Sequence, residues 1–118
     1  NDGENLSLFV QNKANGENAF TIGEYNITES KNSFAMGYNN IAHGENSFVI
    51  GKYAQTATDD NLVFAVGNGT GFLSRSNAFT IDWDGNAFIG NNLSVDGSIT
   101  IAGNIVPETD GYMVGTTN

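Results

Sequence analysis

The chain has 118 residues, the span of one ordinary domain, with 39% apolar side chains and only 14% charged ones. Thirteen acids against four bases give a net charge of −9, which repels phosphate backbones and argues against nucleic-acid binding. The lack of Cys excludes disulfides and thiolate zinc sites, and no apolar run approaches the roughly 18 residues of a membrane span. Eighteen Asn, fifteen Gly and a single Pro favour turns and strands over helices, because Asn and Gly tolerate positive φ. The start, Asn1-Asp2-Gly3-Glu4, has no basic-then-apolar leader, and the chain reads as a piece of something longer.

From the N-terminus onward the dominant signal is repetition. A degenerate copy starts near Asn5, and three blocks then align without gaps: Gly16 to Gly23, Ser30 to Gly37 and Gly44 to Gly51. Asn18, Asn32 and Asn46 are 14 residues apart, as are Gly23, Gly37 and Gly51. Looser copies follow at Asn61 to Gly67 and Asn77 to Asp82, at spacings of 15 and 16. Within the blocks Phe20/Ile22, Phe34/Met36, Phe48/Ile50 and Phe79/Ile81 sit two apart, so each pair shares one face of a strand. Fourteen residues hold two short strands and two tight turns, one coil of a parallel β-solenoid. The Asn positions are expected to form a ladder, and the glycines a corner that disfavours a Cβ.

The Phe and Ile positions are expected to fill a single internal layer, so that Phe34→Glu should collapse folding. The opposite face, with Ala19, Ser33, Ala35, Ser47 and Val49, is small enough for close approach of another chain. So slim a roll is marginal alone, and an obligate homo-oligomer of two or more copies is expected.

The pattern Asn-Ser/Ala-x-Ala/Thr-Ile/Met-Gly, best seen in Asn32-Ser33-Phe34-Ala35-Met36-Gly37 with Ile41-Ala42-His43-Gly44 as return strand and turn, resembles the YadA-like head repeat of trimeric autotransporter adhesins. The likeness spans about residues 16 to 90. It implies an all-β, left-handed parallel β-roll and a homotrimer. The same roll occurs in phage tail fibres. Phe at positions 20, 34 and 48 departs from the Val or Ala more common in the family.

Near residue 83 the pattern changes, and the expected boundary separates a β-roll at 1–83 from a β-stem at 84–118. Ile89, Leu93, Val95, Ile99, Ile101 and Ile105 alternate with polar or small residues between glycines. Such short half-buried strands need other chains to cover them, which predicts an intertwined trimeric stem. This tract resembles the stem repeats of phage fibres, and Val106 to Thr117 loosely resembles the segment before a fibre's C-terminal chaperone.

Signals for chemistry are sparse. His43, the single His, reads as a solvated turn residue, and a catalytic nucleophile would need it as a base. Asp59/Asp60 and Asp82/Asp84 are the candidate carboxylate pairs for glycoside hydrolysis, but the first point to opposite faces and the second fit a turn. Asp82-Trp83-Asp84-Gly85-Asn86 has the alternating oxygens of a calcium loop, yet Leu93 stands where the distal acid belongs, so a plain turn is expected and no cofactor. Trp83 is expected to plug the junction, and Tyr25, Tyr38 and Tyr53 to form an aromatic ladder in preference to a sugar-contacting stripe.

The sequence thus predicts a non-enzymatic structural segment: a phage or prophage tail-type fibre, virion-borne and extracellular, that projects toward a bacterial surface. The alternatives are the head of a bacterial surface adhesin binding host matrix and a polysaccharide-cleaving fibre. The expected partners are two further copies of the chain and a bacterial surface polysaccharide or protein receptor, without nucleic acid or membrane insertion.

Overall fold

The computed structural model describes residues 9–56 and 61–107. These contain eleven strands and no helix: β1 (Phe9–Val10), β2 (Lys13–Ala14), β3 (Phe20–Glu24), β4 (Ile27–Thr28), β5 (Phe34–Tyr38), β6 (Ile41–Ala42), β7 (Phe48–Lys52), β8 (Gln55–Thr56), β9 (Leu62–Asn68), β10 (Asn77–Asp82) and β11 (Ala87–Ile89). Alternate strands enter two sheets. The long one runs β1-β3-β5-β7-β9-β10-β11 and the short one β2-β4-β6-β8. All pairings up to β9 are parallel, so the chain winds as a parallel β-solenoid of about four turns.

The 14-residue period is the register of the long sheet. Phe20 lies against Phe34, Phe34 against Phe48 and Phe48 against Phe64, while Gly23, Gly37, Gly51 and Gly67 form a second row. Gly37 has φ 121°, and a Cβ there would stand 2.1 Å from the Gly51 carbonyl oxygen, so only glycine allows the next coil to approach. Gly67 lacks the positive φ and is excluded from carrying a side chain by space, since its Cβ would meet that of Ala54 at 2.4 Å.

The faces are reversed from the sequence expectation. Thr21, Ala35, Val49 and Ala65 point into the roll and are at most 4% exposed, joined by Ser33, Ser47, Thr28, Ala42 and Thr56. Phe20, Met36 and Phe48 lie outside at 45%, 38% and 37% exposure, and Ile22, Phe34, Ile50, Phe79 and Ile81 are only half-buried. The reason is volume. Two thin sheets closed by tight corners leave a lumen that admits a methyl or a hydroxyl but no phenyl ring. The buried serine hydroxyls are satisfied locally, Ser33 Oγ donating to Ser30 O and Ser47 Oγ to Gly44 O, both at 2.6 Å, whereas Thr28 Oγ1 has no hydrogen-bond partner among the described residues.

A second asparagine ladder, unforeseen from the sequence, runs through the interior. The Asn26 side-chain amide donates to Ile22 O and Gly37 O, both at 2.9 Å, and its backbone N–H donates to Asn12 Oδ1 at 2.8 Å. One coil on, Asn40 repeats this toward Met36 O, Gly51 O and Asn26 Oδ1, and Ala54 N–H closes the series on Asn40 Oδ1 at 3.0 Å. The expected outer ladder is present at Asn18, Asn32 and Asn46, joined by Nδ2···Oδ1 contacts of 3.3 and 3.0 Å, with φ of 57°, 57° and 59°. Asn61 and Asn77 leave it, because spacings of 15 and 16 carry them out of register.

The last copy is not a coil. Residues 69–76 reverse the chain, and β10 pairs antiparallel with β9 and with β11. The expected boundary at 83 therefore falls inside a hairpin. After Gly90, whose N–H donates to Ala78 O, residues 91–107 are all exposed and form no strand. Of the expected stem core, Ile89 ends β11 at 39% exposure, while Leu93, Val95, Ile99, Ile101 and Ile105 range from 42% to 64%. Asp59 and Asp60 lie outside the described residues.

Asn40→Ala strips amide bonds to three neighbours and leaves Ala54 N–H unpartnered, and should cost about 3 kcal/mol in urea unfolding. Asn32→Gly, at an exposed corner where glycine accepts the same φ, should change stability by less than about 0.5 kcal/mol.

Candidate functional site

The outer face of the long sheet carries a continuous apolar surface along the coils. Its first column is aromatic. Phe20 and Phe34 stack at 5.0 Å and 14°, and Phe34 and Phe48 at 4.4 Å and 8°. Phe48–Phe64 tilts to 44° while the pairing is still parallel, and Phe64–Phe79, across the antiparallel β9–β10 pair, reaches 70°. Beside it run Ile22, Met36, Ile50 and Val66, in register along the same face. Each ring covers its neighbours in the ladder but leaves an edge to solvent.

A tyrosine ladder follows the corner. Tyr25 and Tyr38 meet edge-on at 6.1 Å and 76°, and Tyr38 and Tyr53 at 5.4 Å and 78°. The hydrogen bond with Tyr53, and repulsion from its charge, hold the Tyr38 phenol above the ordinary tyrosine range. This agrees with the ladder expectation, with the rings perpendicular instead of parallel because Tyr38 follows its glycine by one residue and the others by two.

The residues after β9 close the end of the roll. Arg75, the one arginine of the chain, donates from Nη1 to Asn39 O at 2.5 Å and from Nη2 to Asn39 Oδ1 at 2.7 Å, with its guanidinium 5.9 Å from the centre of the Tyr53 ring. Partial burial lowers its pKa from the ordinary arginine value. Asn77 acts as a surrogate strand: its Oδ1 accepts from Gln55 N–H at 3.3 Å and its Nδ2 donates to Gln55 O at 3.1 Å. Asn77 thus occupies part of the free β8 edge of the short sheet, which would otherwise be a template for pairing, while Arg75 ties the closing segment to the corner of the preceding coil. Nothing in the sequence marks these roles beyond the rarity of arginine.

The acidic turn is self-contained. Asp82 Oδ1 accepts the N–H groups of Asp84 at 3.0 Å and Asn86 at 2.8 Å, and Oδ2 accepts Asn86 Nδ2 at 3.0 Å. These donors, Asn86 foremost, hold the Asp82 carboxyl below the usual carboxylate range. Asp84 Oδ2 takes Asn61 Nδ2 at 2.7 Å. Trp83 is 52% exposed at this turn, so within the single chain it plugs nothing. A hairpin tip has no enclosed space to receive an indole. His43 packs at the opposite corner with Nδ1 3.0 Å from Glu29 Oε1. Among the described residues no three His, Asp or Glu side chains gather as metal ligands, and no helix is long and apolar enough to cross a membrane.

With this geometry in hand, the comparisons with known proteins are specific to the coils. The YadA head domain repeat matches residues 29–54 in two copies. That stretch holds the best-stacked rings, Phe34 and Phe48, and the internal Asn40. No curated protein and no solved structure matches the chain.

Two outcomes test the closure and the turn. Arg75→Ala should lower stability by about 2 kcal/mol in thermal or urea unfolding, since it removes charged hydrogen bonds to coil backbone. Because the folded Asp82 carboxyl titrates below its unfolded value, its stabilisation of the hairpin is complete above the ordinary carboxylate range. It is lost as pH falls through the depressed folded pKa. Acid titration followed by the Asn86 amide resonance should show that step in the wild type and not in Asp82→Asn.

Proposed function

We propose that this chain is a rigid, non-catalytic segment of a homotrimeric extracellular fibre of adhesin type, which holds an attachment surface away from the particle or cell that bears it. The observation that carries this reading is the phenylalanine column: an interior already filled by small side chains, and a stacked apolar stripe left on the outer face. Burying a phenylalanine is worth about 1.5–3 kcal/mol, so covering several per protomer is ample drive for assembly. The surface to be shared is therefore the Phe20/Phe34/Phe48 face, not the small-residue face, which lines the lumen. Three copies set about one axis close a ring in which each uses two different surfaces, and closure prevents open-ended growth.

The exposed alternation from Leu93 to Ile105 supports a stem in the same assembly, where three extended chains wrap and cover one another's apolar positions. A phage or prophage tail-type fibre directed at a bacterial surface is the setting we favour, since that stem accompanies a roll of this kind. The two YadA head repeats at 29–54 favour the second setting, the head of a bacterial surface adhesin. Both place the segment outside the cell, and both assign it a mechanical role. The Asp82 carboxylate, committed to its own turn, supports a part without hydrolytic chemistry.

Light scattering on the purified chain should give about three times the 12.5 kDa chain mass. Phe34→Glu should release folded or partly folded single chains that keep the β-type circular dichroism of the roll, because the new charge sits on the shared face and not in the lumen. A wild-type monomer at micromolar concentration, or a variant that still runs as a trimer, would remove the basis of this proposal.

A further inference from the structure

Each coil turns its first corner through one residue in the left-handed region: Gln11, Tyr25, Asn39 and Tyr53, at φ of 55°, 60°, 57° and 54°. Asparagine adopts this conformation readily, whereas a tyrosine is sterically disfavoured there. At Tyr53 the ring is offset by the Arg75 guanidinium stacked over it. Tyr25 has no such cover. It is 46% exposed, and among the described residues its one ring contact is the edge of Tyr38. Strain held without burial points toward a use for the side chain outside the fold.

A shallow groove of about 290 Å³ lies beside that ring, lined by Gln11, Lys13, Tyr25, Ile27 and Asn39. It is too small for a folded partner, and it sets two side chains with apolar bodies, Tyr25 and Ile27, beside three polar ones, Gln11, Lys13 and Asn39. Asn39 Oδ1 already accepts from Arg75, which leaves its Nδ2 as a donor. Among the described residues the Gln11 amide has no hydrogen-bond partner, so it can both donate and accept. Lys13 adds a donor and is the one charged lining residue, with Glu24 next to Tyr25 in the chain. Anionic polymers are disfavoured by the net charge of −9.

We propose that Tyr25 and this groove bind a neutral saccharide, one sugar face packed on the Tyr25 ring and its hydroxyls hydrogen-bonded by Gln11, Lys13 and Asn39. Tyrosine suits this purpose, since it offers a broad rigid surface at small entropic cost. The inference takes its biological setting, receptor contact along the side of the fibre, from the function proposed above; its chemistry stands on the groove alone.

The test is a titration of the ¹⁵N-labelled assembled chain with neutral oligosaccharides of glucose, galactose and N-acetylglucosamine, at millimolar concentration. At least one should give saturable amide shifts centred on Gln11, Lys13, Tyr25, Ile27 and Asn39. Tyr25→Asn copies the residue at the equivalent corner of the next coil, so it should keep the fold and the assembled mass while binding at least about tenfold more weakly. Saturable shifts lost in this variant support the site. No saturable shift with any of the three sugars, equal binding by the variant, or shifts centred on Trp83 instead would each overturn it. A trimer that shows no shifts defeats the groove alone, whereas a monomer that shows them defeats the fibre reading and leaves the groove standing.

Discussion

A coil of fourteen residues encloses almost no volume, and most of the architecture follows from that limit. The two sheets stand so close that the space between them takes Ala35, Val49, Ala65 and a few hydroxyls. Larger apolar side chains are forced outward, where they stack along the sheet at the coil-to-coil spacing. The usual relation between hydrophobicity and burial is thus inverted within one chain: the greasiest residues form the surface, and the interior is small and partly polar. Such an inside is tolerable only because every coil repeats the same bonds.

The internal asparagines supply that repetition. Asn26 and Asn40 each tie the carbonyl four residues back, the glycine carbonyl of the following coil and the asparagine of the preceding one. The amide substitutes for the water that a lumen this narrow excludes, and it fixes the direction of the chain as it leaves the long sheet. Gly23 and Gly37 belong to the same device, since the carbonyls accepting these amides sit where a Cβ from the coil before would project. Asparagine and glycine enrichment is therefore more than a turn signal. It is the material of a stacked interior.

A stack of this kind has two ends, and the described structure shows one of them being closed. Antiparallel reversal after Asn68 turns the next strand over, Asn77 occupies the Gln55 backbone groups that another coil would have used, and Arg75 anchors the segment to Asn39. The chain then passes into a tract with alternating apolar residues and no ladder of its own. The protein thereby moves from a structure that satisfies its backbone internally to one whose apolar positions stand exposed among the described residues.

The period, the strand character of each block, the parallel stacking of coils and the outer Asn18/Asn32/Asn46 ladder were all legible in the amino-acid order, because they are properties of spacing along one dimension. The internal ladder was also legible in principle, since Asn12, Asn26 and Asn40 share the same interval; the brighter Phe and Gly pattern masked it. Which face turned inward was not legible, because a two-residue alternation labels two faces without saying how much room either will have. Only the closed cross-section decided that phenylalanine is outside. The same holds for the reversal at β10, where the block Asn77 to Asp82 looks like another coil but is folded back antiparallel on β9 by the turn at residues 69–76. Arg75 reaching back to Asn39, and Tyr25 beside its groove, depend on corners brought together from separate coils, a distance that exists only once the chain has wound.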